Sequence, residues 1–306
     1  MMARQHFLSL ADWSTDELLR FLSLAKETKE RPQDYAQSLV GKQLGMVFQK
    51  SSTRMRVSFE AGMTQLGGSA LYLSSNDLQL GRGETLADTA RVLSRYVHVL
   101  MARVNAHAEI TELAQYSSVP VINGLSNFNH PCQGLADYLT MWERFGSLEG
   151  LSVTYIGDGN NVCHSLMMGA AKFGASMTVG TPNGYEPDTS VTAYCMDAMH
   201  PSGSLQFVQD PVEACRDAQV IYTDSWVSMH MENEREERLR VFGPYQVNAA
   251  LLEHTAPDAI FMHCLPAHRG VEVTDEVMDG PSSAVFDQAE NRMHAQKALL
   301  LSLLSE

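Results

Sequence analysis

The sequence predicts an α/β fold with two domains, each a mostly parallel β-sheet flanked by helices. Short apolar runs typical of buried strands alternate with segments of helical period along most of the chain. A chain of 306 residues has room for two domains of roughly 150 residues each. Residues 147–151 separate two such alternating regions, and we therefore predict a domain boundary after residue 146.

The charge balance argues against two classes of partner. The chain has 22 basic and 36 acidic residues, a net charge of −14, so binding to nucleic acid or to an anionic membrane is not expected. No apolar run approaches the ~18 residues of a membrane span, and the first residues lack a signal-peptide core. We expect a cytoplasmic protein in which any anion is bound by a local basic cluster.

Five scattered cysteines suggest neither a disulfide framework nor a zinc site. Their number is odd, and no two form a C-x-x-C pair. No histidine, cysteine and carboxylate set has the spacing of metal ligands. Reduced thiols in a cytosolic protein are the simplest interpretation, and we expect no metal and no cofactor. The cysteines are Cys132, Cys163, Cys195, Cys215 and Cys264.

The first predicted element is a helix over residues 14–28. Ser14 and Glu17 have the capping-box spacing that begins such a helix, and an apolar face follows. This helix is interpreted as scaffold. A strand over residues 44–48 comes next.

The stretch from Phe48 to Arg56, FQKSSTRMR, is predicted to bind an anion. It joins the strand to a helix that begins at Thr53, and a helix start offers unpaired N–H groups and a favourable dipole. Arg54 and Arg56 lie about 100° to either side of the apolar stripe that contains Met55, at roughly 3.6 residues per turn. The alternative interpretation is a capped surface helix with two solvated arginines.

Further strand ends in the first half carry polar groups. Arg103 follows a predicted strand. Pro131, at the first position of a helix, makes His130 the N-cap and Gln133 the third helical residue. Because strand carboxyl ends frame the ligand crevice of an open α/β sheet, these groups are expected at the same edge as Arg54. The predicted elements are strands at 70–73, 97–101 and 119–122, and helices at 84–95, 109–115 and 131–145.

The second half repeats the alternation of strand and helix. A turn, Gly157 to Asn161, follows its first strand and resembles half of a dinucleotide fingerprint. Val162 replaces the third glycine of G-x-G-x-x-G, which makes that signal weak. The predicted elements are strands at 151–156, 176–179, 205–208, 219–223 and 260–262, and helices at 162–173 and 288–304.

Strand ends in the second half again carry polar residues. Asp224 follows one strand, with Ser228 and Met229 shortly after it, and Cys264 follows another. Residues 230–240 are charge-dense, which predicts a solvated loop or helix. This segment is the candidate for a mobile lid. Together with Asn161 and the arginines of the first half, these groups predict one small-molecule crevice between the two halves.

Four motifs resemble those of the carbamoyltransferase family. Ser52-Thr-Arg-Met-Arg56 is similar to its S-T-R-T-R phosphate loop, and His130-Pro-Cys-Gln133 to its H-P-x-Q. His263-Cys-Leu-Pro266 resembles the H-C-L-P of the ornithine branch. Asp224-x-x-x-Ser228-Met229 resembles the D-x-x-x-S-M-G loop of the same branch. The similarity runs in order from about residue 6 to the end of the chain.

The resemblance implies transfer of a carbamoyl group from carbamoyl phosphate to the δ-amine of L-ornithine, giving L-citrulline. It assigns catalysis to Arg103, His130, Cys264 and Arg292. It assigns carbamoyl phosphate binding to Ser52, Thr53, Arg54, Met55, Gln79, Arg103, His130, Gln133, Cys264, Leu265 and Arg292. It assigns ornithine binding to Asn161, Asp224, Ser228 and Met229.

The resemblance also implies an architecture. Residues 1–146 would bind carbamoyl phosphate, residues 147–287 would bind ornithine, and the C-terminal helix 288–306 would pack back on the first domain. Gln79 would reach the site of a neighbouring subunit, which implies a homotrimer or a multiple of one. The sequence leaves open whether the cell makes or consumes citrulline.

Two residues depart from the family pattern. Met55 stands where the family has threonine, and because Met55 lies on the apolar stripe we expect it to pack inward with a modest effect on phosphate affinity. His230 stands where the loop has glycine, which is expected to restrict a left-handed backbone angle or stiffen the loop. The role of Arg56 stays open, since its side chain could face a structural carboxylate.

Other acceptors and other protein classes are the alternatives to ornithine carbamoylation. The H-P-L-P of the aspartate branch is missing, and Ser228-Met229 and Cys264-Leu-Pro-Ala267 favour ornithine over acetylornithine. Putrescine is the nearest rival acceptor, but it lacks the α-amino acid group that the Asp224 loop would recognise. A dinucleotide-dependent reductase built on Gly157-Asp-Gly159 and a catalytically silent binding subunit are the alternatives from other classes.

Overall fold

The computed structural model describes residues 6–74, 78, 83–227 and 232–304. Four positions named above lie outside these described residues: Gln79, Ser228, Met229 and His230. Two compact units form, one from Met1–Leu139 with Glu290–Glu306 and one from Thr140–Ala289. The division falls within a continuous helix, whereas the predicted boundary lies in the turn that ends this helix. That boundary, which concerns the substrate-binding domains, stays a prediction.

The first unit contains a parallel four-stranded sheet in the order β2-β1-β3-β4. Its strands are β1 (Gln43–Phe48), β2 (Ser69–Ser74), β3 (Val99–Arg103) and β4 (Val121–Leu125). Its helices are α1 (Thr15–Glu30), α2 (Pro32–Tyr35), α3 (Thr53–Gln65), α4 (Leu86–Leu93), α5 (His107–Tyr116) and α6 (Pro131–Phe145), the last of which continues into the second unit.

The second unit contains a parallel five-stranded sheet in the order β7-β6-β5-β8-β9. Its strands are β5 (Ser152–Ile156), β6 (Ser176–Gly180), β7 (Ser204–Val208), β8 (Val220–Thr223) and β9 (Ile260–His263). Its helices are α7 (Asn161–Phe173), α8 (Thr189–Asp197), α9 (Pro211–Cys215), α10 (Arg235–Phe242), α11 (Ala249–Leu252) and α12 (Asp275–Met278). The predicted α/β class and the parallel sheets are confirmed.

Helix ends form where the sequence provides caps. Ser14 Oγ accepts from the Glu17 N–H at 3.3 Å, and Glu17 Oε2 accepts from the Ser14 N–H at 2.9 Å, which confirms the capping box of α1. Pro131 is the first residue of α6, as predicted. Gly146 has a φ of +74° just after the end of α6, a left-handed conformation that glycine adopts without a steric penalty.

Each sheet has one position where the chain connections diverge. From β1 the chain continues to β2 on one side, and from its neighbour β3 it continues to β4 on the other. The same relation holds for β5 and β8, which lead to β6 and β9. Ligands of open α/β sheets bind beyond the carboxyl ends of the strands at such a switch point. The residues after β1, β3, β5 and β8 are therefore the first candidates for a site.

The final helix, α13 (Val285–Leu304), returns to the first unit, as predicted. Lys297 is buried, and its Nζ donates to the Thr28 carbonyl at 3.1 Å and to Gln65 Oε1 at 3.3 Å. Lys29 Nζ donates to Asn291 Oδ1 at 2.8 Å. A Cβ at Gly62 of α3 would lie 3.2 Å from Lys297 Cγ, which is a tight contact. These contacts join α13 to both α1 and α3.

A search of the described residues for membrane spans gives a negative result. None of their helices combines the length and the apolar character that crossing a bilayer demands.

Candidate active site

Helix α3, which carries the Ser52-Thr-Arg-Met-Arg56 motif, follows the carboxyl end of β1. Ser52 is its N-cap and accepts a hydrogen bond from the Met55 N–H at 3.4 Å, while Thr53 is the first helical residue. Arg54 is half-buried, and its buried Nε meets no acceptor among the described residues. A helix N-terminus with a partly enclosed guanidinium group is suited to bind an oxyanion.

Met55 and Arg56 differ in their surroundings. The Met55 side chain has no exposed surface, so the expectation that it packs inward is confirmed. Arg56 is exposed, with its Nε 3.5 Å from Glu60 Oε2 and its guanidinium carbon 4.1 Å from the centre of the Tyr72 ring. The structure therefore supports the interpretation in which the Arg56 side chain faces a structural carboxylate, here that of Glu60.

Arg103 ends β3, the strand beside β1. Phe48 pairs with Arg103 in the sheet, and the Gln49 N–H donates to the Arg103 carbonyl at 2.9 Å. The Arg103 residue is 8% exposed. The sheet register thus places Arg103 at the same switch point as the start of the loop that leads from β1 to α3.

His130 lies in an electropositive and buried environment. Burial lowers its pKa well below the usual 6.5, and the charges of Arg292 and Arg103 lower the pKa further. The imidazole is therefore neutral near pH 7, with one ring N–H to donate. His130, Arg103 and Arg292 form what we call the basic cluster, and all three belong to the first unit.

Gln133 is held by the helix that carries it. The side chain is buried, and its Nε2 donates to Asp137 Oδ1 at 2.7 Å, one turn further along α6. Its Oε1 is buried and accepts no hydrogen bond from the described part of the chain. Asp137 thereby fixes the orientation of the Gln133 amide group.

Lys50 is a candidate that was not singled out from the sequence. Burial lowers its pKa, and the charge of Arg103 lowers the pKa further, whereas Glu109 raises it. A Lys50 ammonium close enough to respond to Arg103 adds a further cation to this edge of the first unit. The available signal was its position, two residues before the Ser52 cap.

Asp224, at the end of β8, is the centre of the candidate site in the second unit. Its Oδ2 accepts from Asn160 Nδ2 at 2.8 Å, and its Oδ1 accepts from Cys264 Sγ at 3.1 Å. Asn160 follows β5, and Cys264 follows β9. Three neighbouring strand ends therefore meet at one carboxylate, which we call the Asp224 cluster.

Asn160, which the sequence did not single out, is the residue that holds Asp224; Asn161, which the family resemblance assigns to ornithine, is the next residue along the chain. Asn160 is the N-cap of α7, and its Oδ1 accepts from the N–H groups of Val162 and Cys163 at 2.9 and 3.1 Å. Asn161 is the first residue inside the helix. Either of two adjacent asparagines could cap a helix, so the sequence alone does not tell which one turns its amide toward the strand ends.

A buried pair shapes the turn after β9. His263 Nε2 lies 3.3 Å from Glu272 Oε1, and His263 Nδ1 accepts from the Leu265 N–H at 2.9 Å. Leu265 has a φ of +58°, which is uncommon for a residue with a side chain. Burial alone would raise the pKa of Glu272, but hydrogen bonds from His263 and the His268 N–H lower it. These contacts hold the backbone next to Cys264.

Three donor groups lie closer together in space than the sequence spacing suggests. One ligand atom each of Asp224, His263 and Cys264 lies within 4.8 Å of the others. However, His263 Nδ1 already accepts from Leu265, and Cys264 already donates to Asp224. Cys264 and Asp224 are therefore hydrogen-bonded to each other, whereas the His263 ring nitrogens are engaged by Leu265 and Glu272.

Comparison with known proteins matches nearly the whole chain. Residues 5–143 match the family model described as "Aspartate/ornithine carbamoyltransferase, carbamoyl-P binding domain", and residues 149–303 match the corresponding "Asp/Orn binding domain". The chain is 57% identical to an ornithine carbamoyltransferase from Pyrococcus horikoshii over 300 residues, which cover 97% of this chain and 95% of that protein.

Two further comparisons involve Pyrococcus furiosus. A relative named "Ornithine carbamoyltransferase, anabolic" is 56% identical over 302 residues, covering 98% of this chain and 96% of that protein. The solved structure of an ornithine carbamoyltransferase from this organism superposes with a TM-score of 0.94 at 56% identity, covering 98% of this chain and 96% of the other. The likeness thus extends to both units.

Proposed function

The chain belongs to the aspartate/ornithine carbamoyltransferase family, and from this premise we propose that it transfers the carbamoyl group of carbamoyl phosphate to the δ-amine of L-ornithine. The products are L-citrulline and phosphate. High identity to ornithine carbamoyltransferases over almost the full length supports this acceptor. The geometric observation that carries the proposal is the Asp224 cluster, where a carboxylate and a thiol meet at the strand ends.

Carbamoyl phosphate binds to the α3 N-terminus and the basic cluster. Arg54 and Arg103 contact the phosphate by charge-assisted hydrogen bonds, together with Ser52, Thr53 and the backbone N–H of Met55. The full set proposed for this substrate is Ser52, Thr53, Arg54, Met55, Gln79, Arg103, His130, Gln133, Cys264, Leu265 and Arg292. The enclosure of Arg54 and the charges that surround His130 support this assignment.

Catalysis rests on fixed donors placed where charge develops. The neutral δ-amine attacks the carbamoyl carbon, a C–N bond forms, the C–O bond to phosphate breaks, and the proton lost by the amine is taken up by the departing phosphate. His130 and Arg292 donate to the carbonyl oxygen, and Arg103 stabilises the departing phosphate. A neutral His130 donates an N–H without adding a full charge, which suits an oxygen that becomes only partly anionic.

Ornithine binds to Asn161, Asp224, Ser228 and Met229, and Cys264 helps to orient the δ-amine. The carboxylate of Asp224 accepts hydrogen bonds from an ammonium group, while Asn160 and Cys264 keep the carboxylate in place. The preference for an α-amino acid over putrescine follows from donors and acceptors that match the amino acid head group. Without that group, those site atoms lose their partners.

The remaining assignments follow the family. Residues 1–146 and 288–306 bind carbamoyl phosphate, and residues 147–287 bind ornithine. Three copies assemble, with Gln79 reaching the neighbouring subunit. The protein acts in the cytoplasm, in keeping with five cysteines that are all thiols. The anabolic relative supports a role in arginine biosynthesis.

An acceptor panel tests the proposal. Carbamoyl transfer from carbamoyl phosphate is measured with ornithine, putrescine, N-acetylornithine, lysine and aspartate. We expect ornithine to give the highest kcat/KM. Preference for putrescine, or no turnover of ornithine, would overturn the assignment. A titration with reduced nicotinamide cofactor should leave its fluorescence unchanged.

A further inference from the structure

We propose that Arg238 is a positioning residue of the ornithine site: its guanidinium ties the turn after β5 to the backbone after Asp224 and so sets where Asn160 and Asp224 stand. This inference rests on the proposed function. Its foundation is an ion-pair network in the second unit, centred on the buried Arg238–Asp158 pair, whose members are not among the proposed substrate-binding residues.

The contacts of Arg238 join its own helix to the residues after Asp224 and to the turn after β5, which lies 80 residues earlier in the chain. Its Nη1 donates to Asp158 Oδ2 at 2.8 Å and to the Trp226 carbonyl at 3.0 Å. Its Nε donates to Glu234 Oε2 at 2.7 Å. The Arg238 side chain is only 8% exposed and that of Asp158 only 11%. Buried charges are strongly destabilising once a partner is removed, so this arrangement resists displacement.

Two of these contacts lie beside the Asp224 cluster along the chain. Asp158 precedes Asn160 by two residues, and Asn160 donates to Asp224 Oδ2. Trp226 follows Asp224 by two residues, and its carbonyl accepts from the same Nη1 of Arg238. Nη1 of Arg238 therefore anchors both Asp158 and Trp226. These residues lie two positions from Asn160 and Asp224, the two partners of the hydrogen bond in the cluster.

The turn itself has little room to move in other directions. The Gly159 N–H donates to the Tyr185 carbonyl at 2.9 Å, and a Cβ at Gly159 would lie 2.3 Å from the Pro187 nitrogen. The Tyr185 ring lies 5.1 Å from the Arg238 guanidinium carbon. Arg238 and the segment around Tyr185 thus enclose the Asp158 turn from two directions.

An arginine is required for this pattern. Its planar fork donates from Nε and Nη1 to acceptors in different directions, whereas a lysine presents one compact ammonium. Burial raises the pKa of Asp158, and the Arg238 guanidinium opposes that rise. When Arg238 is absent, the carboxyl must either take up a proton or move toward water, and each change disturbs the turn that carries Asn160.

The test compares Arg238→Met, Arg238→Lys and Asp158→Asn with the unmodified full-length enzyme. We expect the KM for ornithine to rise by about 10- to 100-fold in Arg238→Met, with a smaller rise in the other two. Binding of inorganic phosphate, measured by calorimetry, should stay unchanged. Combining Arg238→Met with Asp158→Asn should recover part of the ornithine KM, because the buried carboxylate that lost its partner is gone.

Arg269→Met is the matched control. Arg269 also pairs with two carboxylates of the second unit, Asp275 and Asp279, but these ion pairs are exposed. This variant should keep the ornithine KM of the unmodified enzyme, so a general effect of lost charge is separated from positioning.

Two results would overturn the proposal. One is an ornithine KM in folded Arg238→Met equal to that of the unmodified enzyme; if that variant does not fold, equal KM values in Arg238→Lys and Asp158→Asn serve the same purpose. The other is a parallel loss of phosphate binding, which would indicate a structural role only. Ornithine turnover by the unmodified enzyme is measured before any variant is tested. If this enzyme does not use ornithine, the proposed function itself has failed.

Discussion

The two units place their polar residues at the same topological position but with opposite charge patterns. In the first unit, the basic cluster brings Arg103 and Arg292 close enough to a buried imidazole to lower its pKa. In the second unit, one carboxylate, Asp224, is held by two neutral donors. The sheet order therefore determines where a ligand binds, and the residues at the strand ends determine which charge it carries.

The difference also concerns stability. Like charges that surround a buried site repel one another until an anion neutralises them. The Asp224 carboxylate already has hydrogen-bond partners and loses less when its ligand is absent. We therefore expect the first unit to depend on its ligand more strongly than the second.

The largest effect is expected from Arg103→Met. Loss of a donor aimed at the leaving phosphate should lower kcat by about 100- to 1,000-fold, or ~2.7–4 kcal/mol. Steady-state kinetics measure this effect. Arg56→Met is the control, because the exposed Arg56 faces Glu60 and Tyr72, and it should change kcat less than about fivefold. Equal losses in both variants would contradict the separate roles of these arginines.

Inorganic phosphate should stabilise the protein more than ornithine alone does. At 100 times its Kd, a ligand of the folded state adds about 2.7 kcal/mol to the free energy of unfolding. Thermal unfolding at matched ionic strength, with phosphate, ornithine or sodium chloride added, measures the difference. An equal rise in Tm with ornithine alone would remove the predicted asymmetry between the units.

Cys264→Ala should impair the use of ornithine far more than the binding of phosphate. It removes one hydrogen-bond donor to the Asp224 carboxylate, worth about 1.5–3 kcal/mol, so kcat/KM for ornithine should fall roughly 10- to 100-fold. Binding of a phosphate analogue, measured by calorimetry, should be retained. Turnover of ornithine at the rate of the unmodified enzyme would exclude Cys264 from the site.

The smallest predicted effect concerns pH. The pKa of folded His130 lies well below 6.5, so the unfolded chain binds this proton at a higher pH than the folded chain does. The contribution to stability is complete above about pH 6.5 and is lost as the pH falls, by up to ~1.4 kcal/mol per pH unit. Between pH 5 and 7, the free energy of unfolding measured with urea should depend less steeply on pH in His130→Gln than in the unmodified protein. Burial also lowers the pKa values of His107 and His294, so the comparison between variants isolates His130.

The sequence was sufficient where function depends on local pattern. Arg103, His130 and Gln133 could be placed because strand ends and helix caps are local features, and the structure has them where the pattern predicts. Ornithine as acceptor came from motif resemblance, since no periodicity encodes it. The roles assigned to individual site residues stay predictions.

The sequence was insufficient where partners are far apart along the chain. The charge-dense residues 230–240 predict a solvated segment, and this is wrong for Arg238, which is buried within α10. Its partner Asp158 lies 80 residues away, so neither composition nor helical period reveals the ion pair. Asn160 was missed for a different reason, because its neighbour Asn161 has the same side chain.

The return of α13 to the first unit affects how the protein is made. Arg292 and Lys297 belong to that unit, yet they follow its other residues by the whole length of the second unit, from Thr140 to Ala289. At a synthesis rate of about 5–20 residues per second, the nascent first unit waits roughly 8 to 30 s for the helix that completes its basic cluster. On the ribosome, the second unit has all of its residues before the first unit does.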